Sequence, residues 1–137
     1  MLLRVQAKTV LVVDDNPQVR TFVMEVLRAG GFDVLEAGSL PEAESLCRKR
    51  GSPIDLLLTD VAMPGGSGAS VADALRKLQP GLRMIYMSGH GENIITQNLL
   101  LQPGVAFLSK PFTPEALSRK VMELTGQSKR DHGQDPP

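Results

Sequence analysis

Three aspartates, a serine and a lysine each stand directly after a short apolar run in this sequence: Asp14, Asp15, Asp60, Ser88 and Lys110. Carboxylates that lie close together repel one another, so at neutral pH they need a cation or must hold protons. A cluster of acidic side chains whose ligand atoms are all oxygens is typical of sites for hard divalent ions, above all Mg²⁺ or Mn²⁺ with retained waters. A carboxylate beside such an ion and a lysine can attack phosphorus, because the cations neutralise the transferring oxygens. These residue types therefore indicate metal-assisted phosphoryl transfer.

The elements that must position these residues are five short apolar segments, which predict buried strands at 9–13, 33–37, 54–59, 83–87 and 105–108. Segments with helical periodicity or helix-capping residues follow them, over residues 17–27, 39–50, 71–78, 93–102 and 113–124. Five strand–helix units in succession predict a parallel sheet with helices on both faces. Chemistry in such a sheet lies at the carboxyl ends of its strands. We therefore expect the five residues to meet at one edge.

Local signals predict where the first two helices begin. Asn16 is a favoured N-cap, and Pro17 suits the first helical position. Ser39, with Glu42 three residues later, forms a capping box. The spacing of apolar residues predicts one buried face on the first helix, made of Val19, Phe22, Val23, Val26 and Leu27.

Composition limits the class of protein. The 137 residues carry 15 Lys+Arg and 15 Asp+Glu, and this zero net charge argues against a general nucleic-acid binder. The single cysteine, Cys47, allows no internal disulfide and no cysteine-rich metal site, and it favours a reducing compartment. No apolar run approaches the roughly 20 residues that cross a membrane. We expect one cytoplasmic domain, with no membrane insertion and no direct nucleic-acid binding.

Four motifs, each after its own predicted strand, carry a family resemblance: Val12–Asn16, Leu58–Gly65, Met87–Gly89 and Leu108–Phe112. Together they resemble the receiver domain of two-component response regulators over residues 8–124, and four motifs in this order are far more specific than one. The resemblance implies a flavodoxin-like, doubly wound α/β fold: a five-stranded parallel sheet in the order 2-1-3-4-5, with five helices. Residues 1–7 are then an N-terminal extension, and residues 125–137 are a polar tail that we expect to be disordered.

The resemblance also implies a phosphorylation site. Asp60 matches the phosphoacceptor of the family. Asp14 and Asp15 match the acidic pair that holds Mg²⁺ or Mn²⁺ together with Asp60, and the main-chain carbonyl of Ala62 matches a further metal ligand. No cofactor other than the metal is implied. The expected phosphodonor is the phosphohistidine of a histidine kinase or of a histidine phosphotransfer protein.

A two-state switch is the output that the resemblance implies. Lys110 and Ser88 match the groups that meet the phosphoryl oxygens, and Phe107 falls at the aromatic switch position. Ser88 moves toward the phosphoryl group, Phe107 packs inward, and the surface of the fourth helix, fifth strand and fifth helix changes. A weak homodimer through that surface is a further expectation. The resemblance further implies a domain that catalyses its own phosphorylation and dephosphorylation, and we expect no turnover of an external substrate.

Several alternatives stay open. The segments Tyr86–Gly89 and Phe107–Pro114 are similar to receivers of hybrid histidine kinases, which favours a C-terminal kinase receiver over a free-standing single-domain regulator. An aspartate-nucleophile phosphatase for small molecules would want Asp-x-Asp after the first strand, whereas Asp14 and Asp15 are adjacent. A flavin-binding domain would want a phosphate loop rich in Ser and Thr. The aspartates and Lys110 could also form a structural ion-pair network, and His90 could tune dephosphorylation or have no chemical role.

Overall fold

A computed structural model describes residues 7–51, 53–63, 66–89 and 104–126, which form a five-stranded sheet with helices on both faces and a small two-stranded sheet. None of the helices in these ranges is long and apolar enough to cross a membrane. The elements are β1 (Thr9–Val13), α1 (Pro17–Ala29), β2 (Asp33–Ala37), α2 (Leu40–Arg50), β3 (Leu56–Asp60), β4 (Ala62–Met63), β5 (Gly66–Ser67), α3 (Gly68–Leu78), β6 (Arg83–Ser88), β7 (Val105–Ser109) and α4 (Pro114–Thr125).

The five main strands form a parallel sheet in the order β2-β1-β3-β6-β7. This confirms the predicted order 2-1-3-4-5 and the flavodoxin-like fold. Four of the five predicted helices lie in the described ranges; the predicted helix over 93–102 and His90 lie outside them. Between β3 and α3 the structure has a small antiparallel pair, β4 and β5.

The third strand begins two residues later than predicted and includes the acidic residue at its end. Ile54 is buried, but its amide and carbonyl bond to the side chain of Gln79 instead of a neighbouring strand. Asp60 pairs in register with Met87 of β6. Asp60 therefore belongs to the sheet itself, as does Ser88 at the end of β6, and the sheet fixes the backbone of both residues.

The core lies on both faces of the sheet, because successive strand residues point to opposite sides. One face packs against α2 and α3 through residues that include Leu11, Leu57 and Met84. The other face packs against α1 and α4 through residues that include Val12, Leu58 and Ile85. A sheet buried on both faces needs continuous apolar strands, which explains why the strands read as apolar runs and not as alternating patterns.

At the amino-terminal edge of the sheet, side chains tie the main chain together. The carboxylate of Asp55 accepts a 2.7 Å hydrogen bond from the amide of Thr9, at the start of β1. Lys8, before β1, and Thr125, at the end of α4, line the same surface depression. The start of β1 and the end of α4 therefore both lie at the amino-terminal edge of the sheet, opposite the edge where the carboxyl ends of the strands lie.

Candidate functional site

Three carboxylates converge at the carboxyl-terminal edge of the sheet. Asp14 and Asp15 follow β1, Asp60 ends β3, and one ligand oxygen from each lies within 4.8 Å of the others. Asp14 is fully buried and Asp60 nearly so, while Asp15 is exposed. Because β1 and β3 are neighbours in register, their ends bring these residues together, as the sequence predicted.

Lys110 bridges two of the three carboxylates. Its ammonium group donates to Oδ2 of Asp14 and to Oδ2 of Asp60, at 3.2 Å in each case. Its own amide donates to the carbonyl of Ser88 at 2.8 Å, which extends the sheet by one bond. Burial lowers the pKa of Lys110, but the charges of Asp14 and Asp60 outweigh burial and hold this pKa above its ordinary value. The side chain is therefore a fixed cation at neutral pH.

The turn after β1 is held by a helix cap. The side chain of Asn16 accepts hydrogen bonds from the amides of Gln18 and Val19, which confirms the predicted N-cap of α1. The amide of Asn16 donates to Oδ1 of Asp14 at 2.9 Å, and the amide of Asp14 donates to the carbonyl of Ala37 at 3.2 Å. The start of the helix thus positions the acidic pair.

The donor set fits a hard divalent cation. Three carboxylates against the one ammonium of Lys110 leave two negative charges in excess, and every donor is an oxygen, as Mg²⁺ prefers. Asp14 already accepts bonds at both oxygens, but a carboxylate has about four acceptor sites and keeps capacity for a ligand. Ala62, whose carbonyl the family resemblance implies as a further ligand, is the first residue of β4.

Ser88 lies on β6, the strand next to the acceptor strand β3, and Phe107 lies on β7, one strand further out. Met87 pairs with Asp60, so Ser88 is one residue beyond the acceptor level, with its side chain buried. Phe107 pairs in register with Tyr86, and the two rings stack with centroids 5.4 Å apart. Phe107 is half-buried against the core face that α2 and α3 cover. The predicted switch residue thus has an aromatic neighbour that sequence reasoning missed.

Tyr86 is fully buried, and within the described ranges its hydroxyl has no hydrogen-bond partner. Burial is the main cause that raises its pKa to about 12; Arg76 opposes the rise and Asp73 adds to it. An unsatisfied buried hydroxyl costs about 1–3 kcal/mol. We therefore expect Tyr86→Phe to raise the free energy of unfolding by about 1 kcal/mol. Urea unfolding followed by circular dichroism measures this change, and a loss of stability would show that the hydroxyl has a partner.

An apolar groove of about 520 Å³ opens beside Lys110, between α1 and the segment that follows β7. Phe22 and Phe112 contact each other there, with ring centroids 6.1 Å apart, and Val19 and Pro111 complete its apolar lining. The prediction that Phe22 belongs to the buried face of the first helix is wrong, because 37% of this residue is exposed. Periodicity marked the apolar face of α1, but the neighbouring segment covers only part of it.

Comparison with known proteins agrees with this geometry. The family model of the response regulator receiver domain matches residues 10–122. The chain is 34% identical over 116 residues to the sensor kinase CckA of Brucella abortus, which covers 85% of this chain and 12% of that kinase. It is 32% identical over 119 residues to the transcriptional regulatory protein AruR of Pseudomonas aeruginosa, covering 84% of this chain and 48% of that protein. The chain thus spans less than half the length of either relative.

Among solved structures, the receiver domain from the hybrid histidine kinase CckA matches with a TM-score of 0.72 and 29% identity, over 85% of this chain and 98% of that one. Receiver domains bind Mg²⁺ at an acidic pocket and take phosphoryl groups from histidine kinases or phosphotransfer proteins. The family match also decides against the small-molecule phosphatase. With the parallel sheet, the acidic edge and the order of the motifs all in agreement, the chain belongs to the response regulator receiver domains of two-component signal transduction.

Proposed function

We propose that Asp60 accepts a phosphoryl group from a phosphohistidine, which makes this chain a phosphoaccepting receiver of a phosphorelay. The observation that carries the proposal is the convergence of three carboxylates within 4.8 Å, two of which share the ammonium of Lys110. A carboxylate with fixed cationic partners in a partly buried site suits the transfer of a group that carries several negative oxygens.

In the proposed step, a carboxylate oxygen of Asp60 forms a bond to phosphorus as the bond from phosphorus to the donor's imidazole nitrogen breaks. The electron pair of the broken bond goes to that nitrogen, which takes up a proton from solvent, and the histidine leaves neutral. Lys110 stabilises the equatorial oxygens that gain charge, and the hydroxyl of Ser88 donates to one of them. Mg²⁺, when bound by Asp14, Asp15, Asp60 and the carbonyl of Ala62, would supply further neutralising charge.

We infer that the phosphoryl group then biases a packing switch. It adds about −1.5 to −2 charge beside Ser88, and the stacked pair of Phe107 and Tyr86 lies two strand positions behind that serine. The stack places Phe107 in contact with the core cluster, where a shift of one ring changes the surface next to β7. We propose this surface, with α4, as the output surface and as the place for a weak homodimer.

The groove beside Lys110 is where we propose that the phosphodonor docks. A histidine that delivers a phosphoryl group to Asp60 must approach from solvent past Lys110, which lines this groove and bonds to the acceptor. The apolar face of a donor helix would cover the exposed ring of Phe22 and its partner Phe112. An exposed aromatic pair beside a charged site is the kind of anchor that dominates protein–protein binding.

Phe22→Ala is expected to slow transfer from a phosphorylated histidine protein by about tenfold or more, because an aromatic anchor contributes about 2 kcal/mol to binding. Uptake from acetyl phosphate should not change, since this small donor needs no docking surface. Transfer rates are measured with radiolabelled donor. Leu78→Ala is the matched control, because Leu78 is a similarly exposed apolar residue on α3, 40% exposed and not part of this groove. Equal loss with both donors would contradict a docking role.

The direct test of the proposed function is intact-mass measurement of the chain after incubation with acetyl phosphate. We expect one phosphoryl group per chain in the presence of Mg²⁺, and little or none once EDTA removes the ion. Absence of uptake from acetyl phosphate and from every phosphohistidine donor would overturn the proposal.

We further propose that the chain works as the C-terminal receiver of a hybrid histidine kinase. The similarity to the sensor kinase CckA and to a hybrid-kinase receiver structure supports this proposal, whereas the similarity to AruR supports a response regulator. The expected observation is a kinase core encoded in frame upstream of Met1. An in-frame stop codon directly upstream would favour the free-standing regulator.

A further inference from the structure

Arg20 reaches from α1 back to the acidic turn, although nothing above assigns it a role. One of its terminal nitrogens, Nη1, donates to the main-chain carbonyl of Asp14. Its Nε donates to Oε1 of Glu36 on β2, at 3.0 Å. The side chain is 19% exposed, so most of it is enclosed between the helix and the end of the sheet. One guanidinium thus joins α1, β2 and the turn that carries Asp14 and Asp15.

The position of Arg20 is unusual for a cation. It stands one turn after the N-cap Asn16, where the helix dipole disfavours positive charge, and no acidic residue lies in the first turn of α1 to offset it. A cation at this position needs specific partners, and the structure supplies two: a carbonyl at the acidic turn and a carboxylate on the neighbouring strand. Such a pattern points to a tether and not to a solvated surface charge.

Gly38 leaves the space that the guanidinium occupies. A Cβ added at this glycine would lie 3.0 Å from Nη1 of Arg20 and 3.4 Å from Oε1 of Glu42. The amide of Gly38 donates to the same Glu42 oxygen, so the segment after β2 is held to the first turn of α2. A Cβ at position 38 would make the guanidinium shift slightly, and this shift would disturb its bond to the carbonyl of Asp14.

We propose that Arg20 is a positioning residue: it fixes the main chain at Asp14 so that the carboxylates of Asp14 and Asp15 converge on Asp60. This inference rests on the phosphoacceptor function proposed above. The side chains of Asp14 and Asp60 are held by Lys110, but Asp15 is exposed and its direction depends on the backbone of the turn. Arg20, which lies on α1 outside the turn, holds this backbone by donating a hydrogen bond to the carbonyl of Asp14.

The test compares Arg20→Ala with the wild-type chain by Mg²⁺ titration calorimetry. Loss of a residue that orients metal ligands costs about 10- to 100-fold in metal affinity, and we expect a weakening in this range. Arg20→Lys keeps the charge but cannot make both bonds of the planar guanidinium, so it should recover only part of the loss. Gly38→Ala should weaken Mg²⁺ binding in the same direction by a smaller factor, without removing any charge.

Arg48→Ala is the matched control, since it removes one positive charge from a residue whose side chain is 63% exposed and paired with Glu44 on α2. It should leave the Mg²⁺ affinity unchanged. A second readout is amide hydrogen exchange without Mg²⁺, in which Arg20→Ala should speed exchange at Asp14 and Asn16 while the core strands stay protected. Faster exchange throughout the sheet would show a merely structural role.

If the wild-type chain binds Mg²⁺ and Arg20→Ala binds it equally well, the inference is overturned and the proposed function stands. The same holds if Arg20→Ala lowers stability but keeps the affinity. If Arg20→Ala does not fold, the Mg²⁺ affinities of Arg20→Lys and Gly38→Ala are the test. The inference is overturned if both variants bind Mg²⁺ with the wild-type affinity. A wild-type chain that takes up neither Mg²⁺ nor a phosphoryl group overturns the proposed function and this inference with it.

Discussion

Asp60→Asn is expected to abolish phosphoryl uptake while the fold stays intact. A carboxamide oxygen is a far weaker nucleophile than a carboxylate, so the step that forms the bond to phosphorus is lost. The substitution keeps the size of the side chain and an oxygen that can accept a hydrogen bond from Lys110, and this lysine also keeps its bond to Asp14. The backbone pairing of residue 60 with Met87 needs no side chain.

The measurement is intact mass after incubation with acetyl phosphate and Mg²⁺, supported by radiolabel transfer from a phosphohistidine donor. Asp33→Asn is the matched control, because Asp33 is an exposed aspartate at the start of β2, at the edge of the sheet away from the acidic site. It should label like the wild-type chain. Labelling of Asp60→Asn at the wild-type level would move the acceptor to another residue.

Lys110→Met has the second large effect, and it acts in opposite directions on two measurements. Removing a preorganised cation from the path of the transferring group slows the reaction by about 10²- to 10³-fold. The same change removes a positive charge 3.2 Å from two carboxylates, so it should tighten Mg²⁺ binding. A residue that only stabilised the fold would not produce weaker transfer together with tighter metal binding.

The stability of Lys110→Met should depend on the metal. Without Mg²⁺ the variant leaves two carboxylates uncompensated, and the loss is less than the roughly 3–5 kcal/mol of a fully buried pair, because Lys110 is 26% exposed. Added Mg²⁺ should restore most of this loss, because a ligand that binds only the folded state stabilises it.

The pH dependence follows from the raised pKa of Lys110. Protonation of this lysine stabilises the folded state fully below about pH 10.4, its unfolded value, and the stabilisation is lost as the pH rises through the higher folded value. The gap in unfolding free energy between wild type and variant should therefore be constant from about pH 7 to pH 9. It should shrink only at more alkaline pH.

Lys120→Met is the control for the lost charge, since Lys120 lies on α4 and pairs only loosely with Glu123, at 3.6 Å. It should change neither phosphoryl transfer nor Mg²⁺ binding. A Lys110→Met variant that stays unfolded in millimolar Mg²⁺ would favour the structural ion-pair network over a catalytic role. If the Lys110→Met variant accepts the phosphoryl group at the wild-type rate, Lys110 has no part in the transfer step.

The parts of the fold that sequence predicted well are those that local chemistry decides. Apolar runs predicted all five main strands, because a sheet buried on both faces demands them. The N-cap at Asn16 and the cap at Ser39 were predicted from residue type and spacing, and both are present. The order of the strand ends predicted that the three aspartates lie at one edge of the sheet, and the structure has them there.

The parts that sequence could not predict depend on contacts between distant segments. Periodicity could not show that Phe22 stays exposed beside Phe112, because the degree of cover comes from a segment 90 residues later. Periodicity also could not show that Arg20 bonds to the main-chain carbonyl of Asp14. A cation just after a helix start does indicate a specific partner, because the helix dipole disfavours positive charge there. The stack of Tyr86 on Phe107 needed the register between two strands.

The two edges of the sheet carry different features of the molecule. Lys8 and Thr125 line one depression on the edge opposite the acidic residues. At these two residues the chain therefore passes the amino-terminal edge of the sheet, away from the acidic edge. Because Lys8 and Thr125 line one depression, we expect a short linker between these two residues to allow circular permutation, which proteins with neighbouring termini tolerate.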